Sequence, residues 1–304
     1  MITVMGATGH TGGAIARRLL ARGERVRVLS RSADRLAALT AAGAEPVVGD
    51  PADPELLTES FAGAAAVYTL LPVDPTWSDY HAWQDRLGEA IVRAVRAARV
   101  PRVVALSSVG ADQPAGTGFL TSLHRQEARL RTLTDTDLLI LRPGLFFESF
   151  YPALGVIREQ GVNVDSVAPD LPIPMVATAD VAVVAADALV DRGWTGVVVR
   201  ELLGPRDLTY AEATRIIGDR IGRPDLAYLQ VPYPRMARAL VDAGFSDDVA
   251  RQHVEFTRGL NEGRIVARQS RAVNPVTPSR FEEFADELAA AYRAADEVRI
   301  EGAA

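Results

Sequence analysis

The chain has 304 residues, 48% of them hydrophobic, with a formal net charge of −6 and a pI near 5.4, which gives no electrostatic case for nucleic acid or an anionic membrane as partner. Cysteine is absent, so disulfides, thiolate metal sites and cysteine nucleophiles are excluded, and the four histidines (His10, His81, His124, His253) have no zinc-ligand spacing, so no metal is expected. All 33 basic residues are arginine, and the length suits one large domain with a smaller appendage.

Ile2-Thr3-Val4-Met5 is rich in β-formers and runs into Gly6-Ala7-Thr8-Gly9-His10-Thr11-Gly12, after which Ile15, Leu19 and Leu20 take helical spacing. The pattern reads as strand, tight turn and helix. Such a turn presents unpaired backbone N–H groups at the positive end of a helix, and glycine lets an anion approach because no Cβ intervenes. A dinucleotide pyrophosphate is the expected guest, contacted by Gly6, Thr8, Gly9, His10, Thr11 and Gly12. A second strand at 25–29 ends in Ser30-Arg31-Ser32, where an NAD-binding fold usually offers an acid to the ribose hydroxyls. Arg31 instead suits a 2′-phosphate, so NADP(H) is preferred over NAD(H), whereas Arg35 reads as a solvated helix residue in preference to a second phosphate contact. The third strand, 45–50, ends at Asp50, which fits either a contact to the adenine amine or a helix N-cap followed by Pro51.

The fourth strand, 65–71, stops at Pro72, and Leu70, Leu71 and Pro72 are expected beside the ribose and nicotinamide. Trp77, Tyr80, His81 and Trp83 cluster at the start of the next helix; Trp77 and Tyr80 would floor a planar substrate or pack the helix entry. Arg102–Leu106 is a fifth strand ending in Ser107-Ser108, two hydroxyls placed to orient substrate or ribose. No G-x-S-x-G elbow accompanies them, so neither is read as a nucleophile. A helix at 122–130 and a sixth strand at 138–142, stopped by Pro143-Gly144, complete an alternation that implies an α/β fold with a doubly wound parallel sheet.

Residues 151–174, with four prolines, read as an irregular substrate-side loop. A helix at 176–190 carries Asp180 as a structural tie, a last strand covers 196–200, the remainder is mostly helical, and Gly302-Ala303-Ala304 reads as a loose tail. The expected organisation is a nucleotide-binding domain over 1–150 plus about 176–204, and a lid over 151–175 and 205–304. The chain begins inside its first strand without a basic or apolar leader, and no apolar run reaches membrane length, so a cytoplasmic location is expected.

Taken together, the glycine turn, Ser107-Ser108, Leu141-Arg142-Pro143-Gly144-Leu145-Phe146-Phe147-Glu148-Ser149, Thr178-Ala179-Asp180-Val181-Ala182, Gly204-Pro205-Arg206-Asp207-Leu208-Thr209 and Phe281-Glu282-Glu283-Phe284 resemble the NmrA-like group of atypical short-chain dehydrogenases/reductases. The resemblance spans nearly the whole chain. It implies a Rossmann domain binding NADP(H), with a small carboxyl-terminal subdomain closing over the cleft. Members divide between NADPH-dependent reductases, including quinone oxidoreductases, and dinucleotide-binding redox sensors without turnover. The sequence departs from the group at Ser149, where the usual residue is Asn.

Ordinary short-chain dehydrogenases use a Tyr-x-x-x-Lys pair, in which the ammonium lowers the phenol pKa; a chain without lysine cannot run that mechanism. Hydride transfer to a quinone or related conjugated carbonyl needs mainly stacking and exclusion of water. His124 is the candidate proton donor, with Tyr68, Tyr80 and Tyr151 as weaker alternatives, and Phe146 and Phe147 would wall the nicotinamide pocket. The expected function is therefore an NADPH-dependent reductase of such acceptors. A non-catalytic NADP(H) sensor and a cofactor-retaining isomerase or dehydratase are the alternatives. Substrate identity and oligomeric state, a homodimer included, are not fixed at this level.

Overall fold

Aliphatic and β-branched runs, buried on both faces by the helices that follow them, build the framework. The computed structural model describes residues 1–273 and 277–301, so the tail expected at Gly302-Ala303-Ala304 lies outside the described residues. In chain order the strands are β1 (Ile2–Val4), β2 (Val26–Ser30), β3 (Glu45–Val48), β4 (Ala66–Thr69), β5 (Arg102–Leu106), β6 (Asp137–Pro143), β7 (Leu145–Phe146), β8 (Val162–Asp165), β9 (Ile173–Val176), β10 (Val197–Leu202), β11 (Asp207–Leu208) and β12 (Ala227–Gln230). The α-helices are α1 (His10–Ala21), α2 (Ala37–Ala41), α3 (Pro54–Phe61), α4 (Tyr80–Ala97), α5 (Leu120–Leu130), α6 (Ala153–Gln160), α7 (Thr178–Asp191), α8 (Tyr210–Arg220), α9 (Tyr233–Asp242), α10 (Asp247–Asn261) and α11 (Phe281–Glu301).

Seven strands form one parallel sheet in the order β10-β6-β5-β4-β1-β2-β3. The winding direction reverses between β1 and β4, and ligands in open α/β sheets bind beyond the carboxyl ends of the strands at such a switch point. Ile15, Leu19, Val181, Ala185 and Leu189 from α1 and α7 bury one face, while Leu57, Phe61, Ile91, Val95 and Leu130 from α3, α4 and α5 bury the other. A third core, with Phe147, Phe150, Ile217, Phe281 and Leu288 at its centre, joins the single helical turn at Phe147–Phe150, α8 and α11 beyond the strand ends.

The stretch 151–174 is not irregular: it holds α6, β8 and the first half of β9. β8 pairs in parallel with β12, and β9 lies between β7 and β11. These strands are too short, and β9 too interrupted by Pro174, to show a period in the sequence. The carboxylate of Asp180 accepts hydrogen bonds from the Ser279 backbone N–H (3.0 Å) and hydroxyl (2.9 Å), tying α7 to the approach to α11. Helix α10 is fastened to the start of α4: the Tyr80 N–H donates to Asp248 at 2.7 Å and the Ser246 hydroxyl to the Trp77 carbonyl at 2.6 Å. Among the described residues no helix is long and apolar enough to cross a membrane, and no group of three or more His, Cys, Asp or Glu is placed to hold a metal ion.

Candidate active site

Helix α1 begins at Gly9 with no side-chain cap, so its first backbone N–H groups are free for an anion. A Cβ on Gly9 would approach nothing closer than the Gly6 carbonyl at 3.4 Å. Gly12 differs. A Cβ there would lie 2.4 Å from the Gly6 carbonyl oxygen and 2.6 Å from that of Met5, so the packing of helix on turn requires glycine at this position. Thr11 also faces inward: it is buried, and its hydroxyl accepts from Tyr68 at 3.2 Å. The Thr11 hydroxyl therefore faces away from the open cradle, which these two residues could reach only through their backbone. His10 is exposed and its ring lies parallel to that of Tyr151 with centroids 6.3 Å apart.

From the turn a cavity of about 240 Å³ runs toward the ends of β2 and β3, past Gly6, Thr8, Leu70 and Pro72. Arg31 and Arg35 flank it. The Arg31 side chain is 67% exposed, 3.9 Å from the Asp74 carboxylate, while Arg35 donates to the Thr8 carbonyl at 3.2 Å. Arg35 thus lies on the cavity wall while remaining exposed to solvent. Asp74 is held below the usual carboxylate range by hydrogen bonds from the Thr76 hydroxyl and backbone, with a smaller contribution from Arg31. Asp50 also lines the cavity and its carboxylate accepts from the Ala52 N–H at 2.9 Å, but it caps no helix. That role belongs to Asp53, which accepts from the Glu55 N–H at 2.9 Å with Pro54 in the first turn. Trp77 stacks on Trp83 at 5.6 Å, and both line this same cavity; Trp77 is not among the residues lining the larger cavity beyond β4, β5 and β6.

A second cavity of about 620 Å³ opens beyond the carboxyl ends of β4, β5 and β6. Leu71, Ser107, Ser108, Pro143, Gly144 and Phe146 form its floor and near wall, with Tyr80 and Phe119 opposite. Gly144 is required by close approach, because a Cβ there would sit 2.3 Å from the Pro174 carbonyl oxygen. Ile265 to Arg271 make the roof, anchored where the buried Glu201 carboxylate accepts from the Arg268 and Gln269 N–H groups, each at 2.8 Å. Val73 lines both cavities, so the two are neighbours across one residue.

Four residues expected at this cleft are not among those lining it. Phe147 is 1% exposed and packs edge-on to Phe281 at 5.1 Å, because the chain turns after β7 and sends it into the third core. His124 is not among the lining residues: its Nδ1 faces the Ala111 carbonyl at 3.0 Å, and the helical phase gives the cleft Leu123 instead. Tyr68 lies fully buried beneath the glycine turn, and Tyr151 also stands outside the cleft lining.

Beneath the floor is a network that spacing did not reveal. The Ser107 hydroxyl donates to Glu127 at 2.6 Å, and Arg142 donates to both oxygens of the same carboxylate, at 2.8 and 2.6 Å. Burial disfavours the charge on Arg142, but the bonds and charge of Glu127 outweigh it and hold the guanidinium pKa above its ordinary value. The only sequence trace of this network is that Glu127 follows Leu123 by one helical turn on the cleft-facing side of α5.

Comparison with known proteins bears on this arrangement. Residues 6–192 match a family described as NAD(P)H-binding. The (4-alkanoyl-5-oxo-2,5-dihydrofuran-3-yl)methyl phosphate reductase of Streptomyces griseus is 32% identical over 224 residues, covering 74% of this chain and 75% of that protein. NAD(P)H azoreductase of Xenophilus azovorans is 26% identical over 300 residues, 97% of this chain and all of that one (100%). The fold is shared with the NADPH complex of the Escherichia coli quinone oxidoreductase QOR2, at a TM-score of 0.80 and 22% identity over 95% of this chain and 99% of that one.

Proposed function

Since the chain belongs to the NAD(P)H-binding family, within its NmrA-like group of atypical short-chain dehydrogenases/reductases, and is an NAD(P)H-dependent oxidoreductase, we propose that it uses NADPH to reduce a quinone or related conjugated carbonyl compound. The observation that carries this reading is the meeting of the two cavities at Val73. One end offers uncapped N–H groups and two guanidiniums; the other is a mostly apolar cleft over the strand ends.

The residues present fit a dinucleotide. Gly9 leaves room above the α1 N-terminus for a pyrophosphate, Arg31 and Arg35 suit a 2′-phosphate, and Asp50, Trp77 and Trp83 enclose space for an adenine. The loop residues Gly6, Thr8 and His10, with Leu70, Leu71 and Pro72, would follow its length toward Ser107, Ser108, Pro143 and Gly144. When bound, NADPH supplies the hydride at its nicotinamide ring. Phe146 and the other apolar walls stack a planar acceptor, and the roof from Ile265 to Arg271 keeps water from it. On this reading residues 1–150 and about 176–204 are the nucleotide domain, and 151–175 with 205–304 the lid. The names of the two relatives, a 5-oxo-2,5-dihydrofuran reductase and an azoreductase, support an unsaturated acceptor.

The test is steady-state oxidation of NADPH against a panel of quinones and enones. Acceptor-dependent loss of the dihydronicotinamide absorbance is expected. Tight NADPH binding without turnover of any member would overturn the proposal in favour of a sensor.

A further inference from the structure

Reduction of a conjugated carbonyl builds negative charge on an oxygen, and a donor aimed at that oxygen lowers the barrier. Most side-chain donors around the 620 Å³ cleft are already engaged. The Ser107 hydroxyl donates to Glu127, a carboxylate locked by Arg142, so Ser107 turns only lone pairs to the cleft. The Ser108 hydroxyl donates to the Val109 carbonyl at 3.0 Å. Gln269 is spanned between Val199 and Glu201, and Arg271 between Gly204 and Asp207. Ser149 and Ser270 lie at the exposed rim.

Tyr80 is different. Its ring is buried, with the residue only 2% exposed, and lines the cleft, yet its hydroxyl bonds to no described residue. The ring is fixed on several sides: Phe119 meets it edge-on at 5.2 Å, His81 at 5.4 Å, and its backbone N–H is held by Asp248 from α10. Burial pushes the phenol pKa up, so the group stays an O–H donor at working pH.

We propose that Tyr80 is a catalytic residue whose phenol donates a hydrogen bond to the carbonyl oxygen of the acceptor and to the oxyanion it becomes, a role that rests on the reductase reading above. The phenol keeps its own proton, and solvent supplies the one that completes the product hydroxyl. A Tyr-x-x-x-Lys pair is unnecessary on this account, because a donor to an oxyanion does not need a lowered pKa.

The probe is 4-nitrophenolate, a planar aryl oxide that imitates the reduced oxygen, titrated into NADP⁺-saturated protein and followed by its absorption shift. Y80F is expected to weaken phenolate binding by about 10- to 30-fold, as loss of a bond to a charged acceptor does, with NADP⁺ affinity within about twofold of the native value. With a quinone substrate kcat should fall roughly 100-fold and KM change far less. Equal phenolate affinity in Y80F and native protein, or no phenolate binding to native protein loaded with NADP⁺, would overturn the role of Tyr80. Failure of native protein to bind NADP⁺ would instead overturn the proposed function.

Discussion

Replacing Arg31 by Ala separates recognition of a 2′-phosphate from recognition of the rest of the dinucleotide. The Arg31 side chain is 67% exposed and 3.9 Å from Asp74, so its charge works in a well-solvated setting and is partly answered already. An unscreened buried guanidinium–phosphate pair would be worth several kcal/mol; solvation brings this to about 1.5–2 kcal/mol, or roughly a 10- to 30-fold loss of NADPH affinity. Arg35, held by the Thr8 carbonyl at 3.2 Å, keeps part of the preference, so the double R31A/R35A variant should bind NADPH and NADH about equally. R31E should go further than R31A, because a carboxylate repels the phosphate. Trp77 and Trp83 line the same cavity, so quenching of tryptophan fluorescence reports both cofactors directly. The NADPH advantage should shrink with added salt. Equal losses for NADPH and NADH in R31A, or no loss for either, would refute the assignment.

The two adjacent phenylalanines should separate cleanly: F147A empties a site that is 1% exposed and should cost about 3–5 kcal/mol in denaturant unfolding, whereas F146A should raise KM with little change in stability. E127A leaves Arg142, with 11% of its side chain exposed, without its bidentate partner, and should lower the unfolding free energy by roughly 3 kcal/mol while releasing Ser107. Burial works against the charge on Asp248, but hydrogen bonds from the Tyr80 N–H and Arg251 prevail and depress its pKa. A depressed carboxylate stabilises above the unfolded pKa, about 3.9, and the benefit is lost as pH falls through the folded value. The stability gap between native protein and D248N, followed by thermal or chemical melting, should therefore be present at neutral pH and close below about pH 4.

The strands of the main sheet are legible because both its faces are buried, leaving runs such as Val103-Val104-Ala105-Leu106 between turn residues. The glycine turn is legible for a related reason: backbone conformation, not side-chain packing, dictates its residues. The small sheets β11-β9-β7 and β12-β8 are not, since strands of two to four residues carry no period and β12 finds its partner in β8 across the intervening β9 to β11. Side-chain direction at the ends of elements is equally hidden. Phe146 and Phe147 differ only in which way the chain turns after β7, and His124 and Leu123 only in helical phase. Trp77 has the composition of a substrate floor, but its stacking on Trp83 turns it to the other cavity. The Ser107–Glu127–Arg142 network joins a strand end, a helix and a second strand, a meeting that only the assembled sheet brings about.

The central claim is that one dinucleotide spans both cavities through Val73, and a crystal structure of the protein with NADPH tests it most directly. The account predicts the pyrophosphate at the Gly9 end of α1, the 2′-phosphate between Arg31 and Arg35, and the nicotinamide over Ser107 and Pro143 inside the larger cleft. A cofactor seated elsewhere, or a nicotinamide directed away from that cleft, would contradict it.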